Sequence, residues 1–245
     1  MKNKILLGYL LAPPSPRGFA KSIYSVLQQQ YDEQLDILFI KDDNPEEDHK
    51  YENIKNKHNR LRKKVLKENY THLFLVEYDN ILPLDALQKL LSCNSDVAYG
   101  LYCNRHGFMQ WLAYESLENG GGKSLSLDIE KRNKAWNNIV ETKGAGFGCT
   151  LIKRNVLKKI EFRNHPDHKV ADDWMFALDC QENGFKQVHN CSVHVGHMLN
   201  DCSIIWPTIT NKKGYYIQLP DDYIKEENKP IEIGMQTKVL YKTSE

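Results

Sequence analysis

Two carboxylates stand one residue apart at the end of an apolar run. In THLFLVEYDN (71–80), Leu73 to Val76 are followed by Glu77, Tyr78 and Asp79. Ionised side chains avoid a core unless they are paired or bound to a metal. At the mouth of a sheet, a Glu-x-Asp pair suits a hard divalent cation such as Mg2+ or Mn2+, which takes oxygen ligands and keeps places for substrate phosphates. The plainer alternative is that the pair ends the strand and caps the turn at Pro83. A second acidic pair, Asp172 and Asp173, opens a helical segment. One Asp suffices to cap a helix and complement its dipole; the other is free to serve as a general base in a cleft. His194 and His197, three apart on one predicted strand, face opposite sides, so one of them rather than both is a metal-ligand candidate. A zinc set of Cys191, His194, His197 and Cys202 has suitable donor atoms, but its spacing and two-sided placement do not match structural zinc sites. GAGFG (144–148) precedes a strand rather than a helix, so it reads as a tight turn allowing close backbone approach to a ligand, not as a phosphate loop. KHNRLRKK (57–64) reads as a solvated helix face.

The elements that must position these residues are legible from periodicity. KILLGYLLA (4–12), LDILFI (35–40), HLFLV (72–76) and DVAYGLY (96–102) read as buried strands. A helix over about 18–30 carries Phe19, Ile23, Val26 and Leu27 on one stripe, and a helix over 50–69 carries Ile54, His58, Leu61 and Val65. Pro83 opens a third, short helix. This βαβαβαβ order with continuous apolar strands predicts a mostly parallel sheet covered on both faces by helices. Ligands of such sheets bind beyond the carboxyl ends of the strands. APPSPR, KDDN and EYDN fall there. In the second half, FMQWLAY (108–114) reads as a strand, ENGGGKS (118–124) as a mobile glycine-rich loop and NNIVET (137–142) as a strand. KGAGFGCTLIKRNVLKKI (143–160) reads as loop, strand and short helix, ADDWMFALDCQENG (171–184) as a helix with Gly184 beyond its end, and CSVHVGH (191–197) as one strand. Residues 205–245 are polar with scattered aromatics and read as a tail wrapped over the surface.

The 245 residues suit one large domain, or one domain with a tail. With 33 basic and 32 acidic residues the net charge is +1, which argues against a dedicated nucleic-acid binder. No apolar run is long enough to cross a membrane. The N-terminus looks somewhat like a signal peptide, but its apolar part is short and reads better as the first strand. Six cysteines without a CxxC predict reduced thiols in a cytoplasmic protein.

Taken in order, these pieces resemble the GT-A glycosyltransferases, in particular the family 2-like inverting enzymes, over roughly residues 4–200. SIYSVLQQQYDEQLDILFIKDDN resembles the family's first helix and second strand, ending in the acids that hold the nucleotide base. NKHNRLRKKVL is similar to the helix carrying its Arg/Asn positions, and HLFLVEYDNILPLDALQKLL to the strand with the metal-binding DxD and the Pro-led helix after it. ADDWMFALDCQENGF resembles the acceptor-side acidic motif, and VHVGH the strand whose final His completes the metal site.

The resemblance implies a GT-A α/β domain over residues 1–204, with a nucleotide-binding half to about 104, an acceptor-binding half over 105–204 and a tail over 205–245. It implies nucleotide contacts at Ala12, Pro13, Arg17, Asp42, Asp43, Asn59, Glu77 and Tyr78. Donor-sugar or acceptor contacts fall at Arg105, Gly146 and Trp174, and a Mn2+ or Mg2+ ion on Asp79 and His197. Asp173 becomes the general base, with Asp172 as its rival. The donor would be a nucleotide sugar, in the first place a UDP-sugar, and the acceptor a hydroxyl on a glycan or another molecule, nucleic acid entering only as an acceptor. Two departures stand out: Glu77 replaces the first Asp of DxD, and Ala171 precedes the acceptor-side acids where the family often has Glu. A sugar nucleotidyltransferase would share the sheet and the metal chemistry, but APPSPRG is Pro-rich where that class carries a Gly-rich basic loop. A non-catalytic nucleotide- or sugar-binding module is the other alternative, although candidates for both base and metal ligands are present.

Overall fold

The apolar runs of the first hundred residues become the centre of one sheet. The computed structural model describes residues 2–11, 19–41, 50–118, 121–166, 171–199, 203–219 and 237–240. In chain order the first half contains β1 (Lys4–Leu10), α1 (Phe19–Leu27), β2 (Gln34–Ile40), α2 (Lys50–Lys67), β3 (His72–Glu77), β4 (Asn80–Ile81), α3 (Ala86–Ser92) and β5 (Val97–Leu101). Then follow β6 (Tyr114–Glu118), β7 (Gly121–Ser124), α4 (Ile129–Ala135), β8 (Ile139–Glu141), β9 (Cys149–Lys153), α5 (Arg154–Lys159) and α6 (Asp172–Glu182). The chain continues with β10 (Gln187–His194), β11 (Gly196–Met198), β12 (Ile204–Pro207), β13 (Tyr215–Gln218) and β14 (Thr237–Leu240).

The main sheet has eight strands in the order β14-β2-β1-β3-β9-β5-β10-β8. Alternate residues of its central strands enter two separate cores. Leu6, Leu38, Leu73 and Leu75 pack with Leu61 and Val65 of α2 on one face. Ile5, Leu7, Ile37, Phe74 and Val76 pack with Val26 of α1 and Leu87 and Leu90 of α3 on the other. Burial on both faces is why these strands read as unbroken apolar runs. A third cluster around Trp111, Leu101 and Ile205 fills the space under the second half of the chain.

The α/β architecture with a helix-flanked sheet stands, but the sheet is mixed. β1 pairs in parallel with β2 and β3, β5 with β10, and β2 with β14. β9 runs antiparallel between β3 and β5, and β8 antiparallel to β10. Several local expectations change. FMQWLAY is not one strand: Trp111 bridges to Cys103 and Tyr114 to Gly144, and β6 begins at Tyr114. The glycine-rich stretch expected to be a mobile loop supplies β7 of a hairpin, paired with β6. CSVHVGH is split: β10 belongs to the main sheet, whereas β11 joins a second sheet of order β13-β12-β11-β4. Residues 204–218 contribute β12 and β13 to that sheet, and β14 extends the main sheet beyond β2. Gly184 ends α6 as expected, with φ +70°. Cys93, Cys103, Cys149, Cys180 and Cys191 are free thiols, and Cys202 lies outside the described residues.

Candidate active site

Asp79 follows the carboxyl end of β3, and a two-residue strand decides what it meets. β4 pairs antiparallel with β11, setting His197 opposite Asn80. The Met198 N–H donates to the Asp79 carbonyl at 2.8 Å. The Asn80 amide donates to Asp79 Oδ1 at 3.1 Å, while Asp79 Oδ2 pairs with the Arg105 guanidinium and lies 3.5 Å from His197 Nε2. His197 Nδ1 donates to the Cys103 carbonyl at 2.7 Å, which fixes the ring and turns Nε2 toward the acid. From the other side, Ser22 of α1 donates to the Asn80 carbonyl at 2.6 Å and accepts from the Tyr9 hydroxyl at 2.8 Å. Burial pushes the Asp79 carboxyl up, but the His197 contact and charge and the Arg105 charge outweigh it and hold Asp79 below the ordinary Asp value. Burial pushes His197 down, and Asp79 with the Cys103 carbonyl more than reverses this.

Glu77 stands between this cluster and the acids of α6. Burial and then the Asp79 charge raise its carboxyl, against His197, His58 and Arg105. Beside it, the Tyr102 ring meets the His197 ring edge-on at 5.5 Å, and its hydroxyl accepts the Gly148 N–H at 3.0 Å. The GAGFG turn is packed against the protein's own side chains. A Cβ on Gly148 would fall 2.8 Å from Asn80 and Tyr102, and one on Gly146 would fall 2.4 Å from the Tyr102 hydroxyl and 3.3 Å from Asp173 Oδ2. The glycines therefore let this turn press against the site's framework.

The two acids of α6 take different surroundings. Ala171 is the N-cap, without a side-chain cap bond, so neither Asp holds that place. Asp172 is buried, its Oδ2 2.7 Å from His58 Nδ1. Asp173 accepts the Trp174 N–H at 2.7 Å and lines a cleft of about 140 Å³ with Tyr114, Leu117, Ala145, Trp174 and Ala177. The β6–β7 hairpin forms the far wall, tied to α6 by the Trp174 indole N–H donating to the Gly121 carbonyl at 2.9 Å. Burial first, then the charges of Asp172 and Glu77, raise the Asp173 carboxyl to about 7.

Of the other residues singled out from the sequence, Tyr78 adjoins the cluster, its carbonyl 3.1 Å from the Tyr9 hydroxyl oxygen. Asn59 is committed elsewhere: its amide donates to the Phe162 carbonyl at 2.7 Å and accepts the Phe162 N–H at 3.1 Å. Its neighbours on α2 are equally engaged, with Lys57 and His58 buried and Arg62 donating to the Leu157 and Ile160 carbonyls, so this is not a wholly solvated face. His194 stacks on Trp136 at 4.0 Å, on a different strand from His197. Ala12, Pro13, Arg17, Asp42 and Asp43 lie outside the described residues. Sequence reasoning passed over His58, Asn80 and Tyr102. Only His58 left a signal, as the single polar member of the apolar stripe Ile54, Leu61, Val65.

Asp79 and His197 carry donor atoms of the kind a divalent cation takes, and in this structure Asp79 Oδ1 is held by the Asn80 amide and Oδ2 by Arg105, so a cation would have to displace Arg105. The Nδ1–H bond to a backbone carbonyl leaves Nε2 as the donor facing a carboxylate oxygen, the usual outer arrangement of a metal-binding His. No group of three or more His, Cys, Asp or Glu that could hold a metal occurs among the described residues, so a cation here would complete its shell with phosphate oxygens and water.

No family model matches the chain, and no curated protein matches it. Among solved structures, the chain is similar to the crystal structure of A197 from STIV, with a TM-score of 0.55, 15% sequence identity, and coverage of 88% of this chain and 94% of that chain. At that identity the likeness concerns the fold alone: an α/β protein with a large mixed sheet flanked by helices.

Proposed function

We propose that the protein transfers a sugar from a nucleoside diphosphate sugar, UDP-sugar in the first place, to a hydroxyl acceptor with inversion at the anomeric carbon. One observation carries this reading: a single sheet mouth holds two carboxyls driven in opposite directions, Asp79 held below the ordinary Asp value beside Arg105 and His197, and Asp173 raised above it in the cleft. Carboxyls separated in this way mark charge-binding and acid–base roles. Asp173 takes the acceptor proton as the hydroxyl oxygen bonds to the anomeric carbon. The anomeric C–O bond breaks in the same displacement, and its electron pair leaves on the diphosphate oxygen. Arg105 presents a fixed positive charge beside Asp79 toward that leaving group. A Mn2+ or Mg2+ ion on Asp79 and His197 would, when bound, offset the remaining negative charge. Among the described residues no Lys or Arg lines the cleft at Asp173, which favours an uncharged acceptor such as a glycan hydroxyl.

The test is a thermal-shift and calorimetry panel of nucleotides and nucleotide sugars, with Mn2+ or with EDTA, followed by UDP release with neutral glycosides as acceptors. Metal-dependent binding of one nucleotide sugar and acceptor-dependent release of its nucleotide are expected. A protein that binds nucleotide sugar but never releases nucleotide would be a binding module, and one that binds none would end the proposal.

A further inference from the structure

A buried pair lies beneath the first turn of α6, next to the base of the transfer described above but outside its cleft. His58 Nδ1 is 2.7 Å from Asp172 Oδ2, and both side chains are 1% exposed. The imidazole is held by the rings of Phe147 at 4.9 Å and Phe162 at 5.1 Å. The remaining polar atoms, His58 Nε2 and Asp172 Oδ1, have no hydrogen-bond partner among the described residues. Such an arrangement is costly: an unsatisfied buried polar atom gives up its hydration without a replacement bond, and well-packed apolar replacements of buried ion pairs are often neutral or stabilising. What the pair does control is direction. Successive helix residues point about 100° apart, so turning Asp172 inward onto α2 sets where Asp173 points. Asp173 lines the cleft, with Oδ1 on the Trp174 N–H and Oδ2 against the Gly146 turn.

We propose that His58 and Asp172 form a positioning pair for Asp173, the imidazole on α2 anchoring Asp172 and so fixing the direction of Asp173 and the charge it faces. Among the described residues, the groups around Asp173 are Asp172 on its own helix, Glu77 from β3, His58 from α2, Tyr99 and Tyr102 from β5 and just beyond it, and Tyr114 from β6. Among these, the Asp172 charge is the largest electrostatic contribution raising the Asp173 carboxyl, and His58 opposes it only weakly. The inference rests on Asp173 as the base in the function proposed above, but its test needs no substrate.

The experiment is a 13C NMR titration of the Asp173 carboxyl with a parallel melting curve, in wild type, in the double variant His58→Leu/Asp172→Leu and in Asp172→Asn. The wild-type midpoint is expected near 7. In the double variant it should fall by about one unit or more, the neighbouring negative charge being gone, while the melting temperature holds or rises. A melting temperature that drops while the Asp173 midpoint stays in place would mean a purely structural pair and would overturn the proposal. Should the double variant not fold, Asp172→Asn decides, since it keeps the volume and removes the charge: an unmoved midpoint again overturns it. Failure of the glycosyl-transfer reading would be read separately, as wild type binding no nucleotide sugar whatever the titration gives.

Discussion

Asp173→Asn should make the protein more stable, and increasingly so as pH rises. The Asp173 carboxyl moves from 3.8 in the open chain to about 7 in the fold, about three units. At 1.36 kcal/mol per unit this is about 4 kcal/mol of destabilisation at full ionisation. The cleft face is open to water, and screening reduces the figure to about 2 kcal/mol. The sign follows from proton counts. Between the two values the folded state binds the proton that the unfolded state has lost, so stability is fully present below pH 3.8 and is lost as pH climbs to about 7. The amide cannot ionise and can still accept the Trp174 N–H, so it escapes this loss. For a chain of this length, about 2 kcal/mol corresponds to about 4–8 °C in melting temperature. The variant should therefore melt about that much above wild type at pH 8, and by less than half that margin near pH 5, while transfer falls about 10²–10⁴-fold. The assay is a calorimetric melt of both proteins at pH 5, 6, 7 and 8. A gap that does not change with pH would refute the reasoning, because it would place an ordinary, solvated carboxyl at Asp173.

Asp79→Asn should cost at least tenfold in Mn2+-dependent UDP affinity by calorimetry, since Asp79 Oδ2 faces both His197 and Arg105; equal affinity with and without EDTA in wild type would remove the metal from the site. Asn59→Ala should cost about 1–3 kcal/mol in denaturant unfolding by freeing the Phe162 N–H and carbonyl, with UDP affinity unchanged. Gly122→Val places a Cβ 2.3 Å from the Tyr114 ring, so the hairpin wall must shift; acceptor affinity should drop while donor affinity holds, as read by NMR saturation transfer.

The central strands were legible because burial on both faces forces unbroken apolar runs in β1, β2 and β3, and the acids at the end of β3 broke that pattern visibly. Strand order was not. β9 carries the same apolar signature whether it lies at an edge or between β3 and β5, and nothing local records that it runs antiparallel. β4 is two residues long, too short for any periodicity, yet its pairing with β11 is what brings His197 to Asp79. Glycine content made residues 121–124 read as a loop, although Gly122 is there because the Tyr114 ring occupies the space of a side chain. His58 was legible as a stripe residue, and its partner was not, because Asp172 reaches it from across the fold.

The β4–β11 pairing also sets an order of assembly. Asp79 and His197 are separated by nearly half the chain. Strand β3 can collapse with β1 and β2 as soon as the first hundred residues exist, but the His197 contact of Asp79 waits for β11. At a synthesis rate of about 5–20 residues per second, the emerging polypeptide carries this acid without its imidazole for several seconds or more. A nascent chain stalled before residue 196 would hold β1, β2 and β3 yet lack the imidazole that faces Asp79. Under the function proposed above, nucleotide would not template the early collapse, and its binding would report that translation had passed β11.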